Sequence, residues 1–367
     1  MDCLFSARSP KTPYFCPGIP PTGCMKISAS IYSTQDPLDE VIRTLDAHRI
    51  ELFHVDCNDE VRVFDDIRRI REISSTPVDL HIITSEPEKY FPLLEATPVE
   101  FVTFQHENLP GPLHIPASLR GIKPPHASHT RFGLAITAAS EIEVFDAVKD
   151  DYDFILMMAT IPGKSGGAFN KDIFRKIRAF RRRHPAKRIH VDGGVNGEVS
   201  FILRNMGVYA SVSGSFLFKG PSVGMALLSL KTLEHESHFL VKDFMLNTDE
   251  IPLSPPGSRS FEQLLQTIED WQMGFTICTT ADGILEGIVS NADVRKAILR
   301  NIHNLHQLSD NELMNRNPVF VSEDASVVEL LRLIKSKLFP VSYLPVTNAQ
   351  GKVTGALTFF NLVKGEA

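Results

Sequence analysis

Between Lys26 and about residue 230, short apolar runs alternate with charged, amphipathic stretches, and no other feature restricts the chain as strongly. The runs are 27–31 (ISASI), 51–56 (ELFHVD), 78–83 (VDLHII), 100–104 (EFVTF), 132–136 (FGLAI), 153–158 (DFILMM), 188–192 (RIHVD) and 209–213 (YASVS). They have the length and the β-branched and aromatic content of strands. Most are separated by segments with helical spacing, among them 37–48, 64–74, 87–96, 141–149, 171–184 and 199–206. Eight strands alternating with helices over about 200 residues predict a (β/α)8 TIM barrel. An open doubly wound sheet usually carries a Gly-rich turn after its first strand, and Ser30-Ile31-Tyr32-Ser33-Thr34 has none.

In a barrel of this kind the chemistry gathers where the strands end. Alternation along a strand sends His54 and Asp56 to one side, Val55 and Cys57 to the other. Alone, such a pair is as well explained by a hydrogen bond inside a buried strand. The other strand ends give it weight: Ser30 and Ser33, His81, Gln105, Thr137, Pro162-Gly163, Asp192-Gly193-Gly194 and Gly214-Ser215. His54, Asp56, His81 and Asp192 come from three strands and form a set able to converge on one cation. Zinc, iron(II), manganese and cobalt all accept mixed imidazole and carboxylate ligation. The glycines after the seventh and eighth strands suit a phosphate, because backbone N–H groups there meet an anion with no side chain in the way. The segment 162–167, with Gly163 and Gly166, reads as a mobile loop over the same mouth. It is not a Walker A loop, since Met158 stands where that motif has its first glycine.

At 367 residues the chain accommodates two or three domains. A net charge of −6 weighs against a nucleic-acid partner, and the eight Lys/Arg residues within 175–188 are assigned to a solvated helix face. The five cysteines form no CxxC pair, which fits a reducing, cytoplasmic setting, and no apolar run has the length of a membrane span. The proline-rich segment 1–24 is expected to be a disordered extension, with Met25 as the natural start.

Beyond residue 240 a different series runs twice. The first copy has a helix at 261–272, strands at 275–279 and 285–289 around the turn 281–283, and a helix opening at Ser290-Asn-Ala-Asp293. The second has a helix at 326–337, strands at 343–346 and 353–357 around the turn 348–351, and Thr358-Phe-Phe-Asn361. Two copies of about sixty residues make an internal repeat. The expected domains are therefore an extension (1–24), a barrel (25–232), a linker (233–240) and two smaller α/β units (241–304 and 305–367).

The region from Lys26 to about Gly220 resembles ribulose-phosphate 3-epimerases. The likeness is carried by Ile27-Ser-Ala-Ser-Ile-Tyr-Ser33, His54-Val-Asp56, Asp79-Leu-His81, Val102-Thr-Phe104 and Gly133-Leu-Ala135, then by Met158 with Pro162-Gly163, Val191-Asp-Gly-Gly-Val-Asn196 and Ser213-Gly-Ser215. The resemblance implies that His54, Asp56, His81 and Asp192 hold a divalent metal, and that Asp56 and Asp192 are the acid and base. It further implies that Gly193, Gly194, Gly214 and Ser215 bind the substrate phosphate, with Gly163 and Gly166 in the covering loop and Ser30 beside the sugar. The implied reaction epimerises a ketose phosphate of the ribulose 5-phosphate/xylulose 5-phosphate type. One carboxylate removes the proton next to the carbonyl, a metal on the carbonyl oxygen stabilises the enediolate, and the other carboxylate returns a proton to the opposite face.

Several positions depart from that family. Asn58 and Ile83 replace its methionines, Glu60 a glycine, Gln105 a histidine and Thr137-Ala138 an Asn-Pro pair, while the loop reads Lys164-Ser-Gly-Gly167. The metal and acid/base set is thus intact and the pocket wall altered. Related barrels that carry Asp-x-Lys-x-x-Asp are set aside, because Asp56-Cys-Asn-Asp59 has no lysine. The repeat resembles a tandem pair of CBS domains, whose Ser/Thr-x-x-Asp signature is kept at Ser290 and Asp293 and lost at Asn361. This implies an adenine nucleotide as regulator and a homo-oligomer. The expectation is a cytoplasmic, metal-dependent sugar-phosphate isomerase without nucleic-acid or membrane partners. Its rivals are an epimerase or isomerase of another phosphosugar, in a surface-polysaccharide pathway, and a non-catalytic, nucleotide-sensing sugar-phosphate-binding protein.

Overall fold

A computed structural model describes residues 25–164, 166–231, 239–257, 259–303, 305, 308–337, 339 and 341–359. The expected extension 1–24, linker residues 233–238 and Asn361 lie outside the described residues.

Eight parallel strands close into a barrel: β1 (Lys26–Ser30), β2 (Leu52–Cys57), β3 (Val78–Ile82), β4 (Phe101–Gln105), β5 (Arg131–Thr137), β6 (Phe154–Met158), β7 (Arg188–Asp192) and β8 (Ala210–Ser213). Each pairs with the next, and β8 returns to β1. Every residue of β3, β4 and β6 is buried, because helices cover the outside while side chains fill the inside. The register sets Asp56 opposite His81 and Met158 opposite Asp192, so these polar strand ends stand close to one level.

The barrel's helices are α1 (Leu38–Ala47), α2 (Val63–Ile73), α3 (Phe91–Ala96), α4 (Ala117–Arg120), α5 (Asp172–Arg183), α6 (Gly197–Asn205), α7 (Ser215–Lys219) and α8 (Val223–Lys231). Two expectations need correction. The segment 87–96 is a 3-10 turn followed by the six-residue α3, since Pro92 has no N–H to continue a helix from 87. The segment 141–149 forms only a 3-10 turn at Ile142–Phe145 and further turns. Val144 and Val148 are poor helix formers, and Asp146 is drawn outward to Arg183 and to His184, 2.9 Å away.

The C-terminal module begins with α9 (Val241–Phe244) and β9 (Leu246–Asn247). Its first copy follows as β10 (Leu253–Ser254), α10 (Phe261–Trp271), β11 (Phe275–Thr279), β12 (Leu285–Ser290) and α11 (Asn291–Arg300). The second has α12 (Asp310–Leu313), β13 (Val321–Ser322), α13 (Val327–Lys335), β14 (Tyr343–Thr347) and β15 (Val353–Thr358). The sheets run β10-β11-β12 and β13-β14-β15-β9. The leading segments are exchanged: β9 pairs with β15 of the second copy, and Asn315 bridges to Ile288 on β12 of the first. Helices α10, α11 and α13 open on capping boxes at Ser260, Ser290 and Ser326, each serine accepting the N–H three residues on.

The module sits on α5 and α6. Phe174 of α5 packs edge-on against Phe239 and Phe244, with ring centroids 5.6 and 6.4 Å apart. Arg178 Nε lies 3.1 Å from Glu250 Oε2, Lys171 Nζ 3.0 Å from Asp243 Oδ1, and the Phe239 N–H donates to Glu198 Oε1 at 2.8 Å. The basic run is therefore not wholly a solvated face, since the Arg178 side chain is only 11% exposed beneath the module. One apolar cluster continues from the barrel to Val241, Phe244, Leu330 and Val346. No described helix is long and apolar enough to cross a membrane.

Candidate active site

At the carboxyl end of the barrel β2 presents His54 and Asp56, β3 presents His81 and β7 presents Asp192. One ligand atom from each lies within 4.8 Å of all the others. His54 Nε2 and His81 Nδ1 each stand 3.3 Å from Asp56 Oδ1, and His54 Nε2 is 3.8 Å from Asp192 Oδ2. His54 Nε2, Asp56 Oδ1 and His81 Nδ1 are buried without a hydrogen bond of good geometry. Buried polar atoms left this way are destabilising, and three aimed at one point mark a place where a cation fits.

The remaining ring nitrogens set the tautomers. His54 Nδ1 lies 3.0 Å from Asp79 Oδ2, and His81 Nε2 lies 2.9 Å from Gln105 Oε1. Both partners are acceptors, so in their neutral forms the rings donate outward and turn their lone pairs inward. Two neutral imidazoles and two carboxylates suit zinc, iron(II), manganese or cobalt.

Electrostatics separate the two aspartates. Burial alone would raise the Asp56 carboxyl, but His54 and His81 beside it hold it well below the usual range. Burial pushes Asp192 up to about 6, the charges of Asp56 and Asp79 adding to the rise while His54 and His81 oppose it. His54 is disfavoured as a cation by burial, yet Asp56 and Asp79 carry it well above its usual value.

Beside this cluster lies a 610 Å³ cleft lined by Ser30, Gly193, Gly194, Gly214 and Ser215, with Asp56 and Asp192 at one wall. Gly193 has φ +104°, and a Cβ there would stand 2.8 Å from the Thr160 nitrogen. At Gly214 a Cβ would crowd Ser33, and it would stand 3.2 Å from the Ser30 Cβ. Ser33 Oγ donates to Ser30 Oγ at 3.0 Å. Gly163, Gly166, Lys164 and Asn58 border the same cleft, as does Lys219 at the end of α7.

The expected metal, acid/base and phosphate residues therefore come together at one mouth. Ser290 and Asp293 stand apart, in the C-terminal module, engaged with each other: Asp293 Oδ2 accepts from the Ser290 hydroxyl at 2.5 Å and the Ser290 N–H at 3.0 Å. Sequence reasoning missed the supporting role of Asp79, although alternation along β3 puts it on the same face as His81. It also missed Glu107 and Lys219, for which the sequence carries no periodic signal.

A closed (β/α)8 barrel with a cation-competent ligand set beside a glycine-walled cleft defines the class of this protein. Residues 26–218, more than half of the chain, match the ribulose-phosphate 3-epimerase family, and the chain belongs to that family. Residues 311–366 match the CBS domain. Among curated relatives, the ribulose-phosphate 3-epimerase of Bacillus subtilis is 26% identical over 157 residues, covering 41% of this chain and 70% of its own. That of Methanocaldococcus jannaschii is 25% identical over 242 residues, covering 62% of this chain and 99% of its own. Among solved structures, the CBS-pair protein CBSX2 from Arabidopsis thaliana aligns at 24% identity and a TM-score of 0.29, covering 35% of this chain and 94% of that one.

Proposed function

We propose that the barrel epimerises a ketose phosphate of the ribulose 5-phosphate/xylulose 5-phosphate type, with Asp56 and Asp192 as acid and base. The observation that carries this reading is the meeting of two carboxylates, Asp56 and Asp192, with His54 and His81 at one mouth, one ligand atom of each within 4.8 Å of the others. Asp56 enters ionised and takes the proton beside the substrate carbonyl. Asp192, from a strand on the other side of β1 and β8, returns a proton to the opposite face. Two carboxylates on opposite faces invert the carbon, whereas one would only exchange its proton. A divalent cation held by His54, Asp56, His81 and Asp192 supplies Lewis-acid polarisation of the carbonyl. Gly193, Gly194, Gly214 and Ser215 receive the phosphate, Gly163 and Gly166 cover it, and Ser30 meets the sugar. Lys164 and Lys219 add positive charge at the same cleft.

The C-terminal module is read as a nucleotide-responsive regulator, its adenine-nucleotide site at Ser290 and Asp293. Binding there requires Asp293 to exchange the Ser290 hydroxyl for those of a ribose. The seat of the module on α5 and α6 supports the regulatory role. Phe239 touches Phe169, ring centroids 6.2 Å apart, and the Phe169 backbone nitrogen lies only 2.5 Å from where a Cβ on Gly194 would sit. Movement of the module thus reaches the phosphate loop through one side chain. The polar Asn58 in the cleft wall favours, as a second reading, a phosphosugar other than ribulose 5-phosphate.

The test is incubation of the metal-loaded protein with D-ribulose 5-phosphate in heavy water, followed by proton NMR. Deuterium entry at C3 with formation of xylulose 5-phosphate, both abolished by a chelator, is the expected result. Exchange without inversion would favour the second reading, and neither event with any phosphosugar tried would refute the epimerase assignment.

A further inference from the structure

The Gln105 amide joins a cation-facing histidine to a carboxylate outside the ligand set. His81 and Gln105 are both fully buried. Gln105 Oε1 lies 2.9 Å from His81 Nε2, while Gln105 Nε2 donates to Glu107 Oε2 at 2.5 Å and to the Ala135 carbonyl at 3.5 Å. A carboxylate and a carbonyl only accept, so the amide fits one way round, with its NH2 toward Glu107 and its oxygen toward His81. That oxygen can only accept in turn. His81 therefore carries its proton on Nε2 and points the Nδ1 lone pair at the centre, 3.3 Å from Asp56 Oδ1. Glu107 is itself pinned, its Oε1 accepting from the Thr137 N–H at 2.7 Å, the Thr137 hydroxyl at 2.8 Å and the Ser140 hydroxyl at 2.5 Å.

We infer that Glu107 is a positioning residue of this centre: acting through Gln105, it sets the tautomer of His81 and with it the cation affinity of the four-ligand set. The affinity part rests on the metal reading given above; the tautomer part does not. In Glu107→Gln the Thr137 N–H, which can only donate, keeps the new amide oxygen in place, so the new NH2 faces Gln105. Gln105 must then turn over and offer its own NH2 to His81 Nε2. His81 moves its proton to Nδ1, where it blocks ligation. Adding Gln105→Glu restores the direction, because a carboxylate at 105 accepts both from the amide at 107 and from His81 Nε2.

The experiment uses the full chain with 15N-labelled histidine. Long-range proton–nitrogen spectra of the metal-free protein should show His81 with its proton on Nε2, then on Nδ1 in Glu107→Gln, and on Nε2 again in the double variant. Zinc affinity, measured by competition with a chelating dye, should fall by about 10- to 100-fold in Glu107→Gln and recover in the double variant. A purely structural role for Glu107 would not be rescued by moving the charge to position 105. A wild-type proton on Nδ1, or a Glu107→Gln variant with unchanged tautomer, overturns the inference. Failure of the wild type to bind zinc while the tautomers switch as stated overturns the metal reading and leaves the relay standing.

Discussion

Replacing Asp192 by asparagine should abolish turnover and yet make the metal-free protein more stable. The side chain is pressed into the barrel mouth beside Asp56 and Asp79, and burial with those charges raises it from 3.8 to about 6. A carboxyl that ionises at 3.8 in the unfolded chain and near 6 in the fold gives up its proton late on folding. Its cost is absent below pH 4, grows as the pH rises through 6, and is constant above that. At about 1.4 kcal/mol per pH unit, the interval from 3.8 to about 6 corresponds to about 3 kcal/mol. The side chain keeps 16% of its surface open to water, so this is an upper bound. For a domain of this size about 3 kcal/mol raises the melting temperature by roughly 6–12 °C. The assay is thermal unfolding of metal-free wild type and Asp192→Asn, followed by circular dichroism between pH 4 and 8. The variant should gain most at pH 8, and its advantage should shrink towards pH 4. Added zinc should largely cancel this advantage, since a ligand at a hundred times its Kd stabilises the wild type by about 2.7 kcal/mol and the variant has lost one of four ligands. A variant less stable at pH 8, or one whose gain does not depend on pH, would refute the electrostatic account. Retained epimerisation would refute the role of Asp192.

Two further predictions address the cleft and the module. Gly214→Ala should raise KM about tenfold with little change in kcat, because the new methyl group displaces Ser33 and Ser30, and overpacking of this kind costs about 1–3 kcal/mol; unchanged KM in steady-state kinetics would remove Gly214 from the substrate pocket. Phe239→Ala should loosen the module by about 1–2 kcal/mol, since the ring is only partly buried and full removal of a core Phe costs about 3–5 kcal/mol. Hydrogen exchange should then speed up both in 240–250 and in 166–171, and acceleration confined to the module would show that Phe239 carries no coupling to the segment around Phe169.

Much of this arrangement was legible before folding. Eight apolar runs fell within a residue or two of the observed strands, because a strand buried on both faces must be a short continuous apolar run. The polar residues ending those runs identified the mouth, since a buried histidine or aspartate has few reasons to sit there. The serines at 260, 290 and 326 announced their helices, as caps are local chemistry. The segment 141–149 misled because its apolar spacing was helical while its partners, Arg183 and His184, lay elsewhere in the chain.

By itself, then, the sequence determined the order of the elements, the repeat and the residue types at each strand end, all of which follow from periodicity over a few neighbours. Only the tertiary structure decided the exchange of β9 into the second copy and the placing of Phe239 against Phe169, beside Gly194. It alone showed which nitrogen of each histidine faces the centre. The reason is physical. Partners such as Asp79 for His54 and Gln105 for His81 are chosen by the register of adjacent strands, about 25 residues apart in the chain, and a hydrogen bond across that distance leaves no periodic trace in the sequence.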